Sequence, residues 1–114
     1  IEELGTIMEQ QSPVKIILLN NNYLGNVRQW QQLFFQRRYS FTPMMNPDYE
    51  KVAEAYRIPS CTVTEREELE TAISRMLETP GAFLLQVAVM PEDNVLPMCC
   101  PGHDVDDMLL TIEN

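Results

Sequence analysis

The chain has 114 residues, 45% hydrophobic and 22% charged, a composition suited to one domain with one core. Its apolar runs, such as residues 16–19 and 82–85, fall far short of the roughly 20 residues a membrane span needs, and no basic-then-apolar leader opens it. Neither a membrane nor an export signal is expected. Eight Lys+Arg against 17 Asp+Glu leave a net charge of −9, and residues 58–114 hold two basic against eleven acidic side chains. That sign argues against nucleic acid as a partner.

In chain order, Ile1, Leu4, Ile7 and Met8 recur at helical spacing with no capping residue before them, so the chain is expected to begin inside a helix of something longer. Residues 14–19, VKIILL, form a short apolar run between Ser12-Pro13 and three asparagines, which reads as a buried strand. Leu24, Val27, Gln31 and Phe34, with Trp30 alongside, predict a helix as far as about Arg38. Asn46-Pro47 supplies a cap and a first-turn proline for a helix with Tyr49, Val52, Ala53 and Tyr56 on one face. Residues 60–63 form a short strand candidate. Thr64 and Glu67 spell a capping box for a helix from Glu65 to about Glu78, with Leu69, Ala72, Ile73 and Met76 inward.

Pro80-Gly81 ends that helix, and residues 82–89, AFLLQVAV, read as a strongly buried strand. A closing helix is expected with Asp104 as its cap and Val105, Met108, Leu109 and Ile112 on one face. Helices alternating with hydrophobic strands predict an α/β fold, a three-layer parallel sheet flanked by helices. Three strands make a thin sheet, which suggests an incomplete part of a larger domain.

Cys61, Cys99 and Cys100 are odd in number and lack CxxC or any Cys/His zinc spacing. A disulfide between neighbours is strained, so free thiols in a reduced, cytoplasmic compartment are expected. His103 stands in a loop without a visible nucleophile or acid partner. Arg28, Arg37 and Arg38 read either as carboxylate-steering groups or as solvated surface or a subunit interface. The methionines and the aromatics between Tyr23 and Tyr49 read as core or interface, and the acids from Glu65 to Glu70 as complements to a helix dipole.

In open parallel sheets, ligands bind beyond the carboxyl ends of strands, and Asn20, Asn21 and Asn22 sit there. Asparagine oxygens suit a hard cation that also holds phosphate oxygens. The same three residues equally suit a polar turn that tolerates positive φ.

Residues 13–32, PVKIILLNNNYLGNVRQWQQ, resemble the cofactor-binding segment of thiamine-diphosphate enzymes, specifically the large catalytic subunit of acetohydroxyacid (acetolactate) synthases. The pattern continues as LFFQRRYS, NPDYEKVAEAY, EELETAI and NVLPM, followed by Pro101-Gly102, so the resemblance covers essentially the whole chain. It implies that residues 1–114 are the C-terminal part of a thiamine-diphosphate-binding domain, beginning after the Gly-Asp-Gly half of the family's metal motif. None of the four glycines here precedes an aspartate.

On that resemblance, Asn21 would supply a side-chain ligand to Mg²⁺ and Tyr23 a backbone carbonyl. Asn20 would support the turn, while Leu24 and Gly25 let the backbone approach the diphosphate. Trp30 resembles the tryptophan lining the family's substrate channel, where it favours 2-ketobutyrate as acceptor; core packing is the alternative. Asn26, beside it, stands where the family has methionine. The implied activity is decarboxylation of pyruvate and condensation with a second 2-ketoacid, in branched-chain amino-acid biosynthesis. The implied cofactors are thiamine diphosphate and Mg²⁺, with FAD bound by another part of the full-length enzyme. The implied assembly is a homodimer or homotetramer, with a possible small regulatory subunit. The alternatives are another thiamine-diphosphate decarboxylase or carboligase, of pyruvate oxidase or glyoxylate carboligase type, or a non-catalytic α/β binding module.

Overall fold

A computed structural model describes residues 1–111. Helix α1 (Glu2–Gln10) leads into strand β1 (Lys15–Asn20), helices α2 (Gly25–Phe34) and α3 (Tyr49–Ala55), and strand β2 (Ser60–Val63). A 3₁₀ turn, Arg66–Glu68, precedes helix α4 (Leu69–Glu78), and strand β3 (Phe83–Ala88) follows. β1, β3 and β2 form a parallel sheet in that order, with Ile17 opposite Leu85 and Cys61 opposite Leu85 on the other side.

The three-layer α/β expectation holds. Phe83, Leu84 and Leu85 at the centre are all buried, as a strand covered on both faces requires. Phe83 and Leu85 pack with Val63 against Ala72 and Met76 of α4, whereas Leu84 faces the other way onto Ala53 and Ile58, with Leu4 and Ile7 of α1 beside them. Fully burying each such side chain contributes about 1.5–3 kcal/mol. The Lys15 ammonium bridges the end of α4 to the sheet, donating to the carbonyls of Thr79 at 2.5 Å and Gly81 at 2.7 Å. There it meets the negative end of the helix dipole.

Five expectations need correction. β1 is not a buried strand: it lies at the sheet edge, where Ile17 and Leu19 remain 53% and 66% exposed because α4 does not reach across them. Helix α2 stops at Phe34 rather than Arg38, because Gln36 and Arg37 turn left-handed (φ 54° and 58°). The capping box at Thr64 does not start α4. The chain instead closes a 3₁₀ turn through the Glu68 amide and Glu65 carbonyl, with no side-chain cap at Glu65.

Asn46 does not cap α3; Asp48 does, accepting the Lys51 amide at 3.1 Å. No closing helix forms over residues 104–111. Met98–Cys99 (β4) and Met108–Leu109 (β5) pair as a short antiparallel ribbon, and the Asp107 amide turns back onto the Asp104 carbonyl. Pro101-Gly102 and three aspartates are poor helix formers, so two or three apolar residues at helical spacing did not suffice. Ile112, expected on the same face, lies outside the described residues.

Asp48 illustrates how local charge supports these elements. The Lys51 side chain, and then its amide, hold the Asp48 carboxyl below its ordinary range, and Lys51 is held charged in return. A depressed native pKa gives stability that is present above the unfolded value, about pH 4, and lost as pH falls through the native one. Asp48→Ala is therefore expected to speed hydrogen exchange at the Lys51 amide at neutral pH. The difference from wild type should fade once the pH drops below the native Asp48 value; a constant difference down to strongly acid pH would remove the cap from the account.

Candidate functional site

The carboxyl end of β1 runs into one loop, residues 20–24, before α2. Two side chains fold this loop onto itself. The Asn20 Oδ1 accepts the Asn22 amide and the Asn21 Oδ1 accepts the Tyr23 amide, each at 3.0 Å, so two overlapping Asx turns replace a regular hydrogen-bond ladder. Asn22 takes the left-handed conformation (φ 58°), which asparagine tolerates better than most residues.

The segment at residues 42–44 holds the loop from outside. The Leu24 amide donates to the Thr42 carbonyl at 2.9 Å and the Met44 amide to the Asn22 carbonyl at 2.8 Å, making a bridge between Tyr23 and Pro43. The Tyr23 carbonyl takes part in none of these bonds and accepts no backbone hydrogen bond among the described residues.

Gly25 opens α2 against this loop. A Cβ there would stand 3.1 Å from the Asn21 Nδ2, tighter than ordinary packing, so glycine leaves the room that the Asn21 carboxamide occupies. Leu24 at the N-cap makes no side-chain cap, and the first-turn amides of α2 carry the partial positive charge of a helix start. Asn20, Asn21, Tyr23, Leu24 and Gly25 thus share one turn. Asn26 and Trp30 follow one helical turn apart on an outer face; Trp30 is 45% exposed and stacks edge-on to Phe34, centroids 5.6 Å apart. In this chain Trp30 is not a core anchor.

The donor set fits a hard cation. Asn21 keeps a lone pair beyond its bond to Tyr23 and the Tyr23 carbonyl keeps both, and neutral oxygens of this kind join phosphate oxygens around Mg²⁺. Among the described residues no three His, Cys, Asp or Glu side chains gather into a metal site.

Several contacts around the loop were not legible in the sequence. Asn46, half-buried before α3, donates from one Nδ2 to the Oδ1 of Asn20 at 2.8 Å and of Asn22 at 3.0 Å. The Arg28 guanidinium lies over the rings of Tyr23 and Tyr39, 4.5 and 3.8 Å from their centroids, and is ion-paired to Glu92. The Glu92 carboxylate raises the Arg28 pKa above its ordinary value. Arg28 is thereby engaged, whereas Arg37 and Arg38 stay exposed.

Gln29, buried within α2, exchanges two 2.9 Å hydrogen bonds with the backbone of Val95, and Asn94 donates to Gln32. The segment at residues 92–95 is in this way tied along α2. A glutamine on a helix face that packs inward was the one available signal. The His103 ring pairs with Asp107, at 2.6 Å on the surface, and the three cysteines are free.

Residues 1–87 match the family described as "Thiamine pyrophosphate enzyme, C-terminal TPP binding domain". The chain belongs to this family. Within it, the chain is 44% identical over 110 residues to the acetolactate synthase isozyme 2 large subunit of Escherichia coli (strain K12), covering 96% of this chain and 20% of that protein. It is 41% identical over 111 residues to the acetolactate synthase large subunit of Pyropia yezoensis, covering 96% and 19%. Against acetolactate synthase 2, chloroplastic, of Nicotiana tabacum, identity is 41% over 117 residues, covering 96% and 18%. The chain spans about a fifth of the length of these curated relatives. The asparagine loop and the start of α2 follow the carboxyl end of β1, the end of a strand beyond which open α/β sheets take ligands. No helix among the described residues is long and apolar enough to cross a membrane.

Proposed function

We propose that this chain is the diphosphate-holding part of an acetolactate synthase large subunit, which decarboxylates pyruvate and condenses the two-carbon unit with a second 2-ketoacid for branched-chain amino-acid biosynthesis. The observation that carries this reading is the paired oxygens of Asn21 and Tyr23 on one turn, beside an uncapped helix start. Thiamine diphosphate, when bound, supplies the electron sink for the decarboxylation.

The residues of this chain bind and orient. Asn21 Oδ1 and the Tyr23 carbonyl would ligate Mg²⁺, Asn20 would hold the turn that aims them, and the backbone at Leu24 and Gly25 would meet the phosphate oxygens. Asn26 and Trp30, one turn further along α2, would wall the acceptor channel. Nothing in these roles moves a proton, so no catalytic acid or base is assigned within the chain.

The domain, on this reading, spans residues 1–114 and lies after the Gly-Asp-Gly half of the metal motif. FAD would bind elsewhere in the full-length enzyme. Assembly as a homodimer or homotetramer, with a possible small regulatory subunit, suits the exposed Trp30, Phe34, Phe35 and Phe41. Three free thiols suit a reducing, cytoplasmic compartment.

The 114-residue chain alone offers a cation two neutral oxygens at this loop and no carboxylate. It is therefore expected to bind thiamine diphosphate with Mg²⁺ only weakly and to form no acetolactate, whereas the full-length polypeptide binds and turns over. Calorimetric titration checks the first and product assay the second. Micromolar or tighter binding by the chain alone would overturn the divided-site reading, and a full-length polypeptide without affinity for the cofactor would overturn the function.

A further inference from the structure

We propose that Asn46 is a positioning residue for the cation loop, setting the register in which Asn21 and Tyr23 present their oxygens; this rests on the cofactor reading above. The backbone dictates each orientation in turn. The Asn22 amide donates to Asn20 Oδ1, which fixes which end of the Asn20 carboxamide faces the loop. That oxygen can then receive only a donor, and Asn46 offers its Nδ2 at 2.8 Å.

The second proton of the same Nδ2 goes to Asn22 Oδ1 at 3.0 Å. At the other end, Asn46 Oδ1 accepts the Tyr49 hydroxyl at 3.2 Å, and the Tyr49 ring packs against the core beneath α3. A flipped Asn46 would set its oxygen against the Asn20 oxygen that the backbone holds in place. One carboxamide therefore pins the residues on both sides of Asn21 and connects them to the core. It also braces Asn22, whose left-handed backbone is the least favourable conformation in the loop. Without Asn46, that residue would relax toward ordinary φ and carry Asn21 and Tyr23 away from each other.

The test is Mg²⁺ affinity, measured calorimetrically in the full-length polypeptide with thiamine diphosphate present. Asn46→Ala is expected to weaken it about tenfold, the low end of the cost of removing a group behind a metal ligand, and to speed hydrogen exchange at the Asn22 amide. Tyr49→Phe, which keeps the ring and removes only the orienting hydroxyl, should give a smaller loss in the same direction. Asp48→Ala, which uncaps the same helix, should lower stability and leave Mg²⁺ affinity unchanged.

Wild-type affinity in Asn46→Ala, or equal losses in Asn46→Ala and Asp48→Ala, would overturn the positioning role. If Asn46→Ala does not fold, Tyr49→Phe decides, and an unchanged affinity there overturns it. Asn21→Ala in the same experiment separates the two readings. A loss at Asn21 without one at Asn46 refutes only this inference, whereas no loss at Asn21 refutes the cation site on which it rests.

Discussion

Asn21→Ala in the full-length polypeptide is expected to weaken cofactor binding on the order of 10- to 100-fold, the range for disturbing groups of a metal site. The side chain does two things at once: its oxygen would face the cation, and it accepts the Tyr23 amide, which orients the second proposed ligand. Asn21→Asp keeps the acceptor oxygen and adds charge, so it should retain or tighten Mg²⁺ binding. Asn22→Gly keeps the left-handed backbone and loses only the contact to Asn46, and should therefore cost less than Asn21→Ala. Titrations of Mg²⁺ against a fixed excess of thiamine diphosphate measure all three. Equal losses in Asn21→Ala and Asn22→Gly would place the ligand one residue away.

Trp30→Leu should change selectivity and spare the fold. With 45% of the residue exposed and its ring resting on Phe34, little core packing is lost, so the melting temperature should barely move. If the indole walls the acceptor channel, the extra methylene of 2-ketobutyrate loses an apolar contact of about 1–3 kcal/mol. Preference over pyruvate as acceptor would then fall by roughly 10- to 200-fold, while the initial decarboxylation stays nearly intact. Product partitioning under competing acceptors, with thermal unfolding measured in parallel, reads both quantities. Unchanged partitioning together with a large drop in melting temperature would assign Trp30 to packing.

Periodicity made β2, β3, α3 and α4 legible because burial decides them. The apolar Phe83–Leu85 run and the Leu69, Ala72, Ile73 and Met76 stripe have no other stable use. It failed where burial does not decide. β1 carries the composition of a buried strand, but a local run contains no information about whether a helix lies across it. The tail spaced Val105, Met108 and Leu109 like a helix, yet its turn-forming and acidic residues favoured a ribbon.

The loop at residues 20–24 was visible through three consecutive asparagines and a following glycine, a local pattern. Its support was not, because Asn46 acts on residues 24 and 26 positions away, and the capping rule offered a nearer use for it. The contacts of Arg28 were hidden for a similar reason: its partners Tyr39 and Glu92 reach it only once the loop and tail fold over α2.

The tie between Gln29 and Val95 distributes constraint unevenly along the chain. A glutamine carboxamide presents the same donor and acceptor pair as a peptide unit, so Gln29 holds residue 95 as a neighbouring strand would, through the main chain of Val95. The Val95 side chain is 64% exposed and takes no part. Position 95 can therefore vary through every residue that keeps an amide proton, with proline alone forbidden. Position 29 has almost no freedom: glutamate lacks the donor, and asparagine is one methylene too short. Diversity at position 95 thus costs little, provided that the single buried side chain of Gln29 on the helix beneath it does not change.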